Sequence, residues 1–176
     1  MSSSSKNWFS SPSRATMLTP TIRFMKNEDR PAILQILHNT PEFRPDEIVV
    51  AEEVLNDYLQ DGIRSGYHVL VAEEDSSILG YICFGQTPLT EATWDIYWIV
   101  TSRDYQQKGV GKTLLKFAEE KIKQAGGKIV VVETSSRPEY EKARRLYRSL
   151  EYRLTCRLVD FYAAGDDKLV FVKRLG

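Results

Sequence analysis

Residues 106 to 113 read Gln-Gln-Lys-Gly-Val-Gly-Lys-Thr and follow the apolar run Trp94-Asp95-Ile96-Tyr97-Trp98-Ile99-Val100. A strand, a glycine-rich turn and a helix in that order present backbone N–H groups and a positive helix end to a phosphate. Gly109 and Gly111 let a diphosphate approach the main chain, and Lys108 and Lys112 add charge beside it. Three readings compete for this segment. Gly111-Lys112-Thr113 is the tail of a nucleotide-binding loop, but Gly-x-x-x-x-Gly-Lys-Thr needs glycine at position 106, which is Gln. That loop also belongs to repeating βαβ units, and none precede it here. Gln106, Gly109 and Gly111 instead spell Gln-x-x-Gly-x-Gly. The third reading is a ligand-free connection whose glycines only permit a tight turn.

Asp95 stands out because it is the one charge in an apolar, aromatic strand. Strict alternation would put Asp95, Tyr97 and Ile99 on one face and Trp94, Ile96, Trp98 and Val100 on the other. A carboxylate so placed is either a proton acceptor or an edge residue paired with Arg or Lys. Tyr147 falls at helical spacing with Ala143, Leu146 and Leu150, which by itself describes a core aromatic.

The elements that must position these residues are legible in the pattern. Thr21–Phe24 is a short strand, and Asn27-Glu28-Asp29 before Pro31 opens a helix. Pro45-Asp46 opens a second helix that stops near Gly62. Strands follow at Tyr67–Ala72, Ile78–Phe84 and Trp94–Val100, the first two joined as a hairpin through residues 73–77. The glycine turn starts a helix that ends at Gly126-Gly127. Ile129–Glu133 reads as a strand buried on both faces, Pro138–Leu150 as a helix, and Leu154–Tyr162 and Lys168–Val172 as a final hairpin. The expected fold is α/β (α+β): a mixed central sheet flanked by helices, with one parallel crossover between Trp94–Val100 and Ile129–Glu133.

This order of elements, with Gln-x-x-Gly-x-Gly in the gap before the crossover helix, resembles the GNAT superfamily of acetyl-CoA-dependent N-acetyltransferases over about residues 21–175. Two further segments add to the likeness: Ala143-Arg144-Arg145-Leu146-Tyr147 and the tail Phe161-Tyr162-Ala163-Ala164-Gly165-Asp166-Asp167-Lys168. The resemblance implies that Gln106, Gln107, Lys108, Gly109, Val110, Gly111 and Lys112 cradle the CoA diphosphate, with Thr113 as a further hydroxyl donor. It implies that Ile99 and Val100 main-chain groups bind the pantetheine arm, where a bulge splays the sheet and frees an N–H for the oxyanion. Asp95, eleven residues before Gln106, takes the position of the general base, and Tyr147 that of the acid that serves the leaving thiolate. Two departures are visible. Glu151 stands where relatives place a helix-ending glycine, and Ser135-Ser136 where many place Asn, so Ser135 is the candidate contact to the CoA arm.

At 176 residues the chain suits one domain, residues 21–176, after a flexible Ser-rich tail at 1–20. Twenty-four basic and 24 acidic residues give no net charge, which argues against nucleic acid or a membrane surface as partner. Cys83 and Cys156 form no disulfide or metal pattern, and His38 and His68 add no ligand spacing, so no metal is expected. The composition points to the cytoplasm. The expected activity is acetyl transfer from acetyl-CoA to a primary amine of a small molecule or peptide, by direct attack in a ternary complex, with a homodimer possible. The alternative is a catalytically silent acyl-CoA-binding sensor or scaffold. Tyr162, Asp166, Arg44, Tyr97 and Glu42 are candidates for the amine pocket, although Gly165-Asp166 reads first as turn chemistry.

Overall fold

A computed structural model describes residues 19–176; the segment expected to be a flexible tail lies almost wholly outside the described residues. Strands β1 (Thr21–Phe24), β2 (Tyr67–Glu74), β3 (Ser77–Gln86) and β4 (Thr93–Thr101) pair antiparallel in succession. Helices α1 (Arg30–His38) and α2 (Pro45–Asp61) are inserted between β1 and β2. After β4 come α3 (Val110–Gln124), β5 (Ile129–Ser135), α4 (Glu141–Ser149) and the hairpin of β6 (Arg153–Ala163) and β7 (Asp166–Arg174). The sheet runs β1-β2-β3-β4-β5-β7-β6, and β4 with β5 is its parallel pair. The fold is α/β with a mixed seven-stranded sheet flanked by four helices.

Helices cover both faces of the sheet centre, which is why β2 and β3 are apolar at consecutive positions. Val69, Val71, Tyr81 and Cys83 pack with Ile33, Leu37, Ala51 and Leu55 of α1 and α2. Leu70, Ala72, Ile82 and Phe84 pack with Leu114, Leu115, Ala118 and Ile122 of α3. β5 departs from the two-sided burial its sequence suggests. Val130 and Val132 are buried against α3, but Ile129 and Val131 are half-buried and Glu133 is exposed. On that face α1 packs against β3 and β4 and α2 against β2, and neither covers β5 to the same extent.

The strict alternation expected of β4 also fails, and the failure builds the site. Cys83 pairs with Trp98 while Phe84 pairs with Ile96, so Tyr97 is one residue too many. Such a bulge turns the following side chains to the opposite face. Trp94 and Ile96 therefore pack with the α3 core, whereas Trp98 and Val100 join the α1–α2 core and Ile99 returns to the α3 side. Beyond the bulge the sheet opens: β4 and β5 pair from Thr93↔Ile129 to Ile96↔Val132, and β5 continues with β7 alone.

Helix α4 ends as the Glu151 departure implies, with a non-glycine residue in the left-handed region at φ +69°. The Tyr152 N–H donates to Tyr147 O at 3.1 Å across that turn, satisfying a terminal helix carbonyl. A side chain in this conformation costs about 1–2 kcal/mol that glycine avoids. Glu151→Gly is therefore expected to stabilise the fold by ~1 kcal/mol and raise Tm by roughly 2–4 °C. Thermal unfolding checks this, and an unchanged or lower midpoint means the turn is not strained.

Among the described residues no helix is long and apolar enough to cross a membrane, and no three or more His, Cys, Asp or Glu side chains gather as a metal site. Cys83 is buried and Cys156 exposed, and neither is bonded to another cysteine.

Candidate active site

The gap between β4 and β5 leads into two adjoining cavities that share Phe43, Ile99, Tyr140 and Ala143 as common walls. The first, of about 460 Å³, runs along the open edge of β4 to the start of α3. The chain leaves β4 through a short turn at Arg103–Tyr105, passes Gln107 at φ +60° and Gly109 at φ +87°, and enters α3. Thr113 N is the first α3 amide to reach a helix carbonyl, Gly109 O at 3.0 Å, so the amides before it are left for another acceptor. They carry the positive end of a fifteen-residue helix.

Ile99, Val100, Gln106, Gln107, Gly109, Gly111 and Lys112 all line this groove. Others of the expected set do not. Lys108 is exposed, with its ammonium 5.0 Å from the centre of the Tyr105 ring. The Val110 side chain is 1% exposed in the α3 core, leaving only its amide to face a ligand. The Thr113 hydroxyl donates back to Gly109 O at 3.1 Å and so belongs to the helix. The opposite wall is α4, whose Lys142 and Arg145 were missed from sequence. They lie three residues apart on one helix face, a signal that was available. Lys142 Nζ donates to Gln106 Oε1 at 3.1 Å, linking α4 to the turn. With Lys112 they give the groove three cationic side chains.

A Cβ built on Gly111 would meet Leu146 at 3.4 Å and the Thr101 hydroxyl at 3.5 Å, ordinary contact distances. The fold itself does not demand glycine at this position. The groove thus offers free amides, a helix end and three cations against two carboxylates, Glu42 and Glu139, neither of them on the turn, which suits a diphosphate.

The second cavity, of about 410 Å³, lies between the bulged part of β4, the end of β5, the β6–β7 hairpin and the start of α2. Asp95 and Tyr147, 52 residues apart in sequence, both line it. Asp95 Oδ2 accepts a hydrogen bond from the Thr87 hydroxyl at 2.6 Å. The Tyr147 ring packs between Tyr152 and Phe171, with centroids 6.1 and 5.8 Å away, and burial pushes its phenol up. Core aromatic and cavity wall are therefore the same residue. Tyr97 and Tyr162 also line the cavity; each phenol is pushed up to about 12, chiefly by burial, with Asp95 adding to it for Tyr97 and Glu133 for Tyr162. Both rings stay uncharged at neutral pH.

Ser135 lies in this second cavity and not in the groove. Its hydroxyl donates to Asp166 and accepts from Arg137 N at 3.0 Å, so it is already committed. Asp166 is 9% exposed and paired with Arg137 at 3.5 Å, which places it in the cavity wall and corrects its reading as a turn residue. The turn falls to Gly165 at φ +80°. Buried Arg144 fixes the connection out of β5, donating to Ser135 O at 2.7 Å and Arg137 O at 2.8 Å. Of the other pocket candidates, Arg44 and Tyr97 line this cavity, and Glu42 lines the groove.

The profile of the acetyltransferase (GNAT) family matches residues 31–152. No curated protein matches in sequence. Among solved structures, one assigned to the GNAT acetyltransferases from Desulfovibrio desulfuricans is 33% identical, with TM-score 0.86 over 90% of this chain and 100% of that one. The acetyltransferase YncA from Salmonella typhimurium, solved with its cofactor acetyl-CoA, is 25% identical, with TM-score 0.73 over 89% and 94%. The ribosomal-protein-S18-alanine N-acetyltransferase of Escherichia coli shares the fold at 16% identity, with TM-score 0.72 over 90% and 95%.

Proposed function

The chain belongs to the acetyltransferase (GNAT) family, and on that footing we propose that it transfers acetyl from acetyl-CoA to a primary amine by direct attack in a ternary complex. The observation that carries this is the β4–β5 gap. It joins a groove whose amides and cations suit a diphosphate to a cavity lined by a carboxylate and a buried phenol. Acetyl-CoA enters as the substrate of the groove: the α3 amides, Lys112, Lys142 and Arg145 take its phosphates, and the open β4 edge at Ile99 and Val100 takes its extended arm.

Asp95 accepts a proton from the acceptor's ammonium, freeing the nitrogen lone pair to attack the thioester carbonyl carbon. The C–N bond forms and the C–S bond breaks. Of the two protons the nitrogen loses, one leaves through Asp95 to solvent and the other balances the proton that the CoA sulfur gains. Tyr147 serves that sulfur as the acid: its O–H protonates the departing thiolate, and the nitrogen's second proton restores the phenol. Burial pushes its phenol up, which keeps it protonated until the thiolate forms. The main-chain N–H groups beside the Tyr97 bulge are the donors for the developing oxyanion.

Thiol release from acetyl-CoA in the presence of an amine panel tests the reading. Amine-dependent release supports it. Tight CoA binding without release from any amine overturns it in favour of a CoA-binding module.

The proposal includes a cytoplasmic setting and a homodimer. Strand β6 is exposed on both faces, its outer edge pairs with no other strand among the described residues, and Leu154, Leu158, Val159 and Phe161 stay 43–69% exposed. A long apolar edge strand calls for a cover. Antiparallel self-pairing about Leu158 would set Leu158 against its own copy and Arg157 opposite Val159, whereas parallel pairing would stack like charges. Sedimentation should give a dimer for the wild type and a monomer for Val159→Lys with Phe161→Lys; a wild type that sediments as a monomer overturns it.

A further inference from the structure

The inventory of charges in the acceptor cavity carries an inference about what the acceptor is, and it rests on the acetyl-transfer reading above. Six charged side chains line the cavity: Arg44, Glu47, Asp95, Glu133, Arg137 and Asp166. Both cations are already matched. Arg44 lies 3.5 Å from Glu47 and from Asp46, and Arg137 lies 3.5 Å from Asp166. Glu133 is matched from outside the cavity by Lys168 at 2.7 Å. Of the six, Asp95 alone has no cationic partner among the described residues and is held by the Thr87 hydroxyl. Uncharged rings, Phe43, Tyr97, Trp98 and Tyr162 among them, line the same cavity.

A charged group that leaves water for such a cavity is stable there only against an opposite charge. One ammonium finds Asp95. A second ammonium would have to draw a carboxylate away from Arg44, Arg137 or Lys168. A substrate carboxylate would have to draw an arginine away from Glu47 or Asp166. We propose that the acceptor is a monocationic primary amine on an uncharged, apolar or aromatic body, in preference to a polyamine or a zwitterionic amino acid. A cavity of about 410 Å³ suits a body of that size. The same chemistry occurs in a free arylalkylamine and in the amino-terminal residue of a peptide.

Matched acceptors test this by kcat/KM. With each rate corrected to the free-amine fraction, phenylalaninamide should exceed phenylalanine by about tenfold or more, because then only the carboxylate differs, and butylamine should exceed 1,4-diaminobutane by a similar factor. 2-Phenylethylamine against a Phe-initiated tripeptide amide separates the two sources. Lys168→Met, which releases Glu133 to the cavity, should raise the diamine-to-monoamine ratio about fivefold or more. Equal or better turnover of phenylalanine or the diamine overturns the inference while leaving acetyl transfer standing, as does an unchanged ratio in Lys168→Met. If no amine in the series releases thiol, both readings fall.

Discussion

Asp95→Asn is expected to lower kcat/KM for amine acetylation about a thousandfold while leaving acetyl-CoA affinity unchanged. Asparagine keeps the size of the side chain and can still accept the Thr87 hydroxyl bond seen at 2.6 Å, so the local packing has little cause to change. It loses the charge that attracts an ammonium and the basicity that removes its proton. Both losses fall on the acceptor, because Asp95 lines the second cavity and none of the groove that takes CoA. Thr87→Val should cost far less, about tenfold, since it removes only the bond that orients the carboxylate. Initial-rate thiol release and calorimetric titration of CoA check the two halves separately. Activity within about threefold of wild type, with the same pH–rate profile, removes Asp95 as the base and leaves that role to water.

What the sequence made legible was local. The ends of α2 follow from Pro45 and Gly62, which act within a few residues. The glycine turn was readable because its geometry is set by Gly109 and its neighbours alone. The bulge at Tyr97 was not derivable from the residues. It depends on how β4 lies against β3, and nothing in Trp94–Val100 marks an extra residue. The acceptor cavity was least legible because it is assembled from Phe43 and Arg44, Asp95, Ser135 and Asp166, which sequence separates by tens of residues. The place of Ser135 was hidden for a related reason. Its partner, Asp166, arrives from β7 through a sheet order that places β7 beside β5.

The second large effect concerns the groove. Gly111→Glu is expected to weaken CoA binding at least about a hundredfold, while Gly111→Ala binds within about threefold of wild type. The two variants separate ligand from fold. An added Cβ meets only ordinary contacts, the nearest at 3.4 Å, and alanine gains about 0.8–1.0 kcal/mol in helix propensity over glycine. Glutamate fits the protein for a different reason: a carboxylate in the first turn of α3 interacts favourably with the helix dipole. Neither variant should therefore unfold, and Gly111→Ala should raise Tm slightly. The difference appears when an anion arrives. Two like unit charges about 4 Å apart repel by roughly 4 kcal/mol at an effective dielectric near 20, beyond the ~2.7 kcal/mol that a hundredfold loss requires. The glutamate would also occupy the free amides that the diphosphate needs. Calorimetry of CoA binding, with circular dichroism to verify folding, decides the matter. A folded Gly111→Glu protein that binds CoA as the wild type does would move the diphosphate away from this turn, and with it the thioester from beside Asp95 and Tyr147.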